Sequence, residues 1–290
     1  MKIAILGPVT KDYIKVDEET KIQIGSPAYY MGRALKALDV EVTVYITYNK
    51  KDENWIVKNF QGVKIRHIPD KNTLEVHSEF SSNNPDKRIS KIGVFAAGFI
   101  EPTSKLISEL EKFDWVLFGP LLHSNMPYEL VLRLKHKKLV YGNFGMFTAY
   151  ENGKWVWKYR EKVIKILPYL KYLFLDNNEA FYVSGQKTLQ KTADFFKKKG
   201  LKNLIITEGS KGSHVFAGDK YYKIPAFVPK KLVDPTGAGD TYEAAFIRST
   251  EFFDEPEKQG KFAAMVATMS LEKRGAFDSC VKEVYKRLEI

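Results

Sequence analysis

Strand-like and helix-like runs alternate along nearly the whole chain, and this alternation limits the fold more than any other feature. Short apolar runs with strand character fall at 2–7, 40–46, 63–68, 115–118, 139–141, 172–175 and 204–207. Between and after them lie runs with helical spacing, at 27–38, 104–112, 127–135, 188–199, 241–253 and 257–273. Strands separated by covering helices pair in parallel, so the pattern predicts an α/β fold with a mostly parallel central sheet flanked by helices. No linker rich in Pro, Gly or Ser divides the 290 residues, and one α/β domain over 1–290 is expected.

One region breaks the rhythm. Leu74–Phe80 alternates in the manner of a strand, 81–86 reads as a turn, and Arg88–Val94 reads as the returning strand. A second extended piece, Ile14–Ile24, precedes the first helix. Together they predict either a small sheet apart from the main one, within 9–24 and 73–98, or a pair of surface hairpins.

Composition narrows the class. Apolar residues make up 44% of the chain, enough for a substantial core. Cys280 is the only cysteine, so no intramolecular disulfide forms, and a reducing cytoplasm is the expected setting. The N-terminal apolar run is too short for a signal peptide and reads as a first strand. No stretch of about 18 apolar residues predicts a membrane span. Lys and Arg exceed Asp and Glu by 11. Much of the excess sits in runs such as Lys197-Lys198-Lys199, which read as solvated helix ends. Without zinc-finger, RNP or basic-zipper patterns, no nucleic-acid partner is expected.

The chemistry concentrates in Asp234-Pro235-Thr236-Gly237-Ala238-Gly239-Asp240-Thr241. Two glycines flank an alanine, an acid follows, and an amphipathic run begins at Tyr242. This reads as a tight turn feeding a helix N-terminus, where unpaired N–H groups and the helix dipole favour an anion. A carboxylate beside such a cradle suits a base that takes a proton from an attacking hydroxyl. The plainer reading is a Gly-rich turn with Asp240 in a first helical turn, where acids are favoured anyway.

The full octet resembles the C-terminal signature of the ribokinase-like (PfkB) carbohydrate kinases, with the flavour of an archaeal branch that includes myo-inositol kinases. The resemblance implies a ribokinase-like fold with a small β lid. It implies Asp240 as catalytic base, the Gly237, Ala238 and Gly239 amides as an anion hole, and Asp234 beside a monovalent cation such as K⁺. Gly25-Ser26-Pro27-Ala28-Tyr29-Tyr30 is similar to the family's N-terminal signature, with Tyr29 or Tyr30 where an Asn binds a hydroxyl. By itself it is a capped helix start, with Ser26 as N-cap and Pro27 first in the helix. Asp12, a loop acid, is implied to bind substrate hydroxyls along with Gly25 and Tyr29.

Asn143 follows a strand, at the sheet edge where open α/β folds bind ligands, and reads as a substrate contact. Its neighbours Gly142 and Phe144 replace an acid and a Gln of the resembled branch. Asp176-Asn177-Asn178-Glu179 reads as a capping box. The resemblance adds that Glu179, with Asp176, organises Mg²⁺. Thr207, Gly209 and Gly212 read as a hairpin or, by resemblance, as the track of the nucleotide phosphates, with Gly275 also on the nucleotide.

The expectation is therefore an ATP- and Mg²⁺-dependent kinase acting on a hydroxyl of a small sugar or polyol, with a homodimer as the assembly considered. A nucleoside kinase on the same scaffold, or a non-catalytic nucleotide-binding regulator, are the alternatives.

Overall fold

The computed structural model describes residues 1–16, 18–81, 84–94, 97–142 and 144–289. The chain opens with β1 (Lys2–Pro8), then leaves the main sheet through β2 (Thr10–Val16) and β3 (Glu19–Gly25) before helix α1 (Pro27–Ala37). It returns at β4 (Glu41–Tyr48), crosses through α2 (Glu53–Phe60) and adds β5 (Lys64–Pro69). A second excursion, β6 (Leu74–Ser81) and β7 (Asn84–Val94), precedes α3 (Ser104–Leu110) and β8 (Trp115–Phe118). Next come α4 (Tyr128–Arg133), β9 (Lys138–Gly142) and a hairpin of β10 (Thr148–Glu151) and β11 (Lys154–Trp157). Then follow α5 (Arg160–Ile166), β12 (Leu170–Asp176), α6 (Asn177–Ser184) and α7 (Leu189–Lys198). The remaining strands are β13 (Asn203–Thr207), β14 (Ser213–Ala217) and β15 (Lys220–Ile224). Helices α8 (Ala238–Ser249), α9 (Pro256–Ser270) and α10 (Val281–Leu288) complete the described chain.

Nine strands form the main sheet in the order β15-β14-β13-β12-β9-β8-β1-β4-β5. Pairing is parallel from β5 to β13, and β14 and β15 add an antiparallel edge. After β1 the chain builds outward on one side through β4 and β5. It then returns to β8 on the other side. The order thus reverses at β1, and the crevice beyond the carboxyl ends of β1 and β8 is where such sheets bind ligands.

Both faces of the sheet are covered at its centre, so β1 and β8 are apolar runs rather than alternating ones. Ile3 and Ile5 face a core shared with residues of α1, α8 and α9. Ala4 and Leu6 face the opposite core, with α3 to α7. In the first core Phe246 of α8 is fully buried and meets Phe174 edge-on at 5.5 Å. This layer ties α8 to the sheet, so the first turn of α8 is held at the carboxyl edge.

The two excursions meet as a separate four-stranded sheet in the order β3-β2-β6-β7. β2 pairs with β6 in parallel, and the outer pairs are antiparallel. Of the turn expected between β6 and β7, Ser82 and Asn83 lie outside the described residues. The sheet stands beyond the carboxyl end of β1 as a lid.

Three features depart from the sequence expectation. Helix α8 begins at Ala238 rather than Thr241, with Gly237 as its N-cap. Glycines weigh against helix in a propensity argument, yet the turn ahead of them fixes the helix start. The second departure is the β10–β11 hairpin, and the third is the set of short helices α2, α5 and α10.

Candidate active site

The turn before α8 is built from side-chain and backbone bonds. Thr236 N–H donates to Asp234 Oδ1 at 2.9 Å, and Ala238 N–H donates to the Pro235 carbonyl at 3.3 Å. Gly237 then adopts φ 75°, where L side chains are strained, and Thr241 N–H closes the first helical bond onto Gly237 O at 2.9 Å. A methyl group on Gly237 would also lie 2.2 Å from the Tyr30 ring, so glycine is required twice over. Ala238, Gly239 and Asp240 occupy the first turn, whose N–H groups lack helical carbonyl partners. Of the three amides expected to face an anion, that of Ala238 is partly engaged by Pro235. Gly239 has nothing within 4 Å of its missing Cβ.

Asp240 lies half-buried on this turn, and burial pushes its pKa up to about 7. Tyr30 stands across from it. Its hydroxyl is raised by burial and then by the negative charges of Asp12, Asp234 and Asp240, which places the phenol among all three acids. Asp12 is buried, and its carboxylate rests on Gly25: a Cβ there would fall 2.2 Å from Asp12 Oδ2. The β2–β3 pairing brings these two residues together, with Thr10 opposite Gly25.

Tyr29 does not share this environment. Its ring meets Phe60 edge-on at 5.4 Å, and its hydroxyl lies by the Ala276 backbone. Tyr30 rather than Tyr29 covers the Gly237 turn. The helical repeat explains the difference, since adjacent residues point about 100° apart. Asn143 lies outside the described residues.

Asp176 and Glu179 form the expected capping box. Glu179 N–H donates to Asp176 Oδ1 at 2.8 Å, and Asp176 N–H donates to Glu179 Oε2 at 2.7 Å. Glu179 is buried, and its charge reaches Glu243. Beside the box, Asn177 Oδ1 is buried without a hydrogen-bond partner among the described residues. Carboxylate and amide oxygens of this kind suit Mg²⁺, which completes its shell with water and phosphate oxygens. Among the described residues no three of His, Cys, Asp and Glu converge to hold a metal alone.

Thr207, Gly209, Gly212 and Gly239 line one cleft of about 640 Å³. Its far wall is apolar, formed by Phe227, Val228 and Leu232 facing Ala264 and Leu271. Gly212 has φ 97°, and a Cβ would fall 2.1 Å from the Ile224 carbonyl, so this loop needs glycine. Gly275, also at positive φ, is not among the residues lining the cleft.

Sequence reasoning missed Glu243. It follows Asp240 by three residues, on the same side of α8, and is 2% exposed. Burial holds its carboxyl well above the usual range, and the charges of Asp240 and Glu179 add to the effect. Also missed was Trp155 of β11, whose Nε1–H donates to the Ser90 carbonyl on the lid strand β7 at 2.8 Å.

The arrangement is a glycine turn at a helix N-terminus, an adjacent carboxyl, and a cleft that continues into an apolar slot. Residues 61–283 match the pfkB family of carbohydrate kinases. The chain belongs to that family. As a pfkB family member it is 32% identical over 143 residues to the nucleoside kinase of Methanocaldococcus jannaschii, covering 49% of this chain and 46% of that one. It is 35% identical over 105 residues to the ribokinase of Bacillus subtilis, covering 36% and 34%. The chain thus spans about half or less of the length of these curated relatives. Its fold is similar to that of a pyrophosphate-dependent kinase in the ribokinase family, complexed with a pyrophosphate analog and myo-inositol. That likeness has a TM-score of 0.82 at 24% identity and covers 98% of this chain and 99% of that one. The ribokinase of Thermotoga maritima superposes with a TM-score of 0.78 at 20% identity, covering 100% and 99%. Likenesses at these identities concern the fold. Among the described residues no helix is long and apolar enough to cross a membrane.

Proposed function

We propose that this pfkB family chain transfers the terminal phosphoryl group of a nucleoside triphosphate to a hydroxyl of a small polyhydroxylated acceptor, a sugar or cyclic polyol. The observation that carries the reading is Asp240, a carboxyl with its pKa pushed up to about 7, fixed in the first turn of α8 behind the Gly237 bend. A base near neutrality is matched to taking a proton from an alcohol during transfer. The first-turn amides, Gly239 foremost, stabilise charge on the phosphoryl oxygens. Asp12 and Tyr30 hold the acceptor on the lid side. The lid excludes water from the transfer.

The donor is read from the cleft. A volume of about 640 Å³ with an apolar far wall suits a nucleobase stacked beyond the phosphates, a feature pyrophosphate has no use for. Asp176, Glu179 and the Asn177 side-chain oxygen are the groups that would hold Mg²⁺ through its water shell, and the ion would neutralise phosphate charge. Asp234 spends one carboxylate oxygen on its own turn, which leaves the other for a monovalent cation.

A nucleoside acceptor is the second reading. It is favoured by the likeness to the archaeal nucleoside kinase. The test is a panel of myo-inositol, ribose and inosine with MgATP or pyrophosphate as donor, read as phosphomonoester formed. Turnover of myo-inositol or ribose with ATP is expected. Inosine as the only acceptor selects the second reading, and turnover with pyrophosphate alone removes the nucleotide.

A further inference from the structure

Gly142 ends β9, and no positive φ requires a glycine there. Its Cα instead faces the Glu243 carboxyl: an added Cβ would fall 1.9 Å from Glu243 Oε2 and 2.8 Å from Cδ. The missing side chain on the strand makes room for the carboxyl from the helix. Glu243 Oε1 is buried, and among the described residues it has no hydrogen-bond partner and its side chain no ion pair. Leaving a buried carboxyl unsatisfied is costly, and a protein that keeps one has a use for it. The neighbouring charges are Asp240 and Glu179, both acidic, so among the described residues nothing compensates the group. A neutral carboxylic acid offers one O–H donor and further acceptor positions. It lies one helical turn from the base, where side chains are neighbours, and at the carboxyl end of a central strand.

We propose that Glu243 is a specificity-determining residue of the acceptor site, binding a hydroxyl that neighbours the one Asp240 deprotonates. The inference rests on the proposed phosphoryl transfer and deepens it, because it requires the acceptor to carry adjacent hydroxyls. A mono-alcohol or an analogue deoxygenated next to the reacting position would leave the carboxyl unmatched. A site built to bond a hydroxyl rejects the analogue lacking it.

The probe is whichever of myo-inositol, ribose and inosine gives the wild type its highest kcat/KM with MgATP, together with its analogue lacking the neighbouring hydroxyl. Glu243→Met replaces the carboxyl with an apolar chain of similar length. Its expected signature is opposed: a higher melting temperature, from removal of an unsatisfied buried carboxyl, and about a 10–100-fold lower kcat/KM for the parent acceptor. KM for ATP stays constant and turnover of the deoxy analogue is unchanged, so the preference for the parent collapses. Glu243→Gln, which keeps a donor and an acceptor, retains the preference within about tenfold. If Glu243→Met does not fold, Gly142→Ala supplies the reading, since its methyl displaces the carboxyl and the same collapse is expected. An unchanged preference in a folded variant, whatever its melting temperature, overturns the inference while leaving the proposed function standing. A wild type that phosphorylates none of the three acceptors overturns both.

Discussion

At Asp240 burial acts on stability and on reactivity in opposite senses. The carboxyl binds its proton more tightly in the folded chain, at about 7 against the usual 3.8. Below about pH 4 both states are protonated and the group is neutral to stability. Between about 4 and 7 the unfolded chain gives up the proton first, so the fold loses stability as pH rises through that window. Asp240→Asn removes this loss. We expect melting curves of the variant to match wild type at pH 4 and to lie higher at pH 8. Under the proposed function activity runs the other way, because only the ionised carboxylate takes a proton. The kcat/KM of the wild type should climb with pH to a plateau above about 7, and Asp240→Asn should lower kcat by about 10²–10⁴-fold with the ATP KM little changed. Glu179 offers a second separation of roles. Glu179→Gln keeps an oxygen for the capping bond to Asp176 N–H, so the melting temperature should hold. The Mg²⁺ concentration for half-maximal rate should rise. A variant that loses stability while its Mg²⁺ titration stays unchanged leaves Glu179 as a cap alone. At this scale the sequence shows much. The Asp176–Glu179 spacing and the Gly237–Asp240 run are readable without coordinates. Glu243 is not, because its meaning depends on Gly142, which is distant in sequence and adjacent only after folding.

The elements divide by whether their signal is local. β1, β4, β8 and β13 are apolar runs bounded by turns, and their places follow directly. The start of α8 is set by the Asp234–Gly237 turn, so propensity misplaces it by a few residues. The β10–β11 hairpin carries a readable sign, Asn152-Gly153, and both residues adopt positive φ as a type I′ turn requires. What the sequence cannot show is its role. Trp155 bonds the Ser90 carbonyl of β7, and Tyr150 and Trp155 pack beside Leu74, Val76, Ile92 and Leu122. The hairpin thereby fastens the lid to the segment that follows β9. Trp155→Phe keeps the packing and removes the bond. The expected result is an unchanged fold, about a three- to tenfold higher KM for the acceptor, and faster ATP hydrolysis without acceptor as water enters. Equal acceptor KM and equal hydrolysis would confine Trp155 to packing.

Over the whole molecule, the reversal of strand order at β1 sets where chemistry can occur. The lid leaves from that point, α8 is anchored on β12 by its aromatic face, and the apolar cleft opens beyond Gly239. Three parts widely separated in sequence therefore meet in one crevice, and the proposed function makes Asp12 and Tyr30 its acceptor side, Asp240 its transfer centre, and Thr207 and Gly212 its donor side. Phosphoryl transfer from a nucleotide to an alcohol is the reaction that uses all three. It is tested most directly by ³¹P NMR of the wild type and Asp240→Asn with MgATP and, in turn, myo-inositol, ribose and inosine. The account predicts a phosphomonoester resonance growing with the β-phosphate signal of ADP for the wild type, and its near absence in the variant over the same time. No phosphomonoester with any of the three acceptors, or equal formation by both proteins, would contradict it.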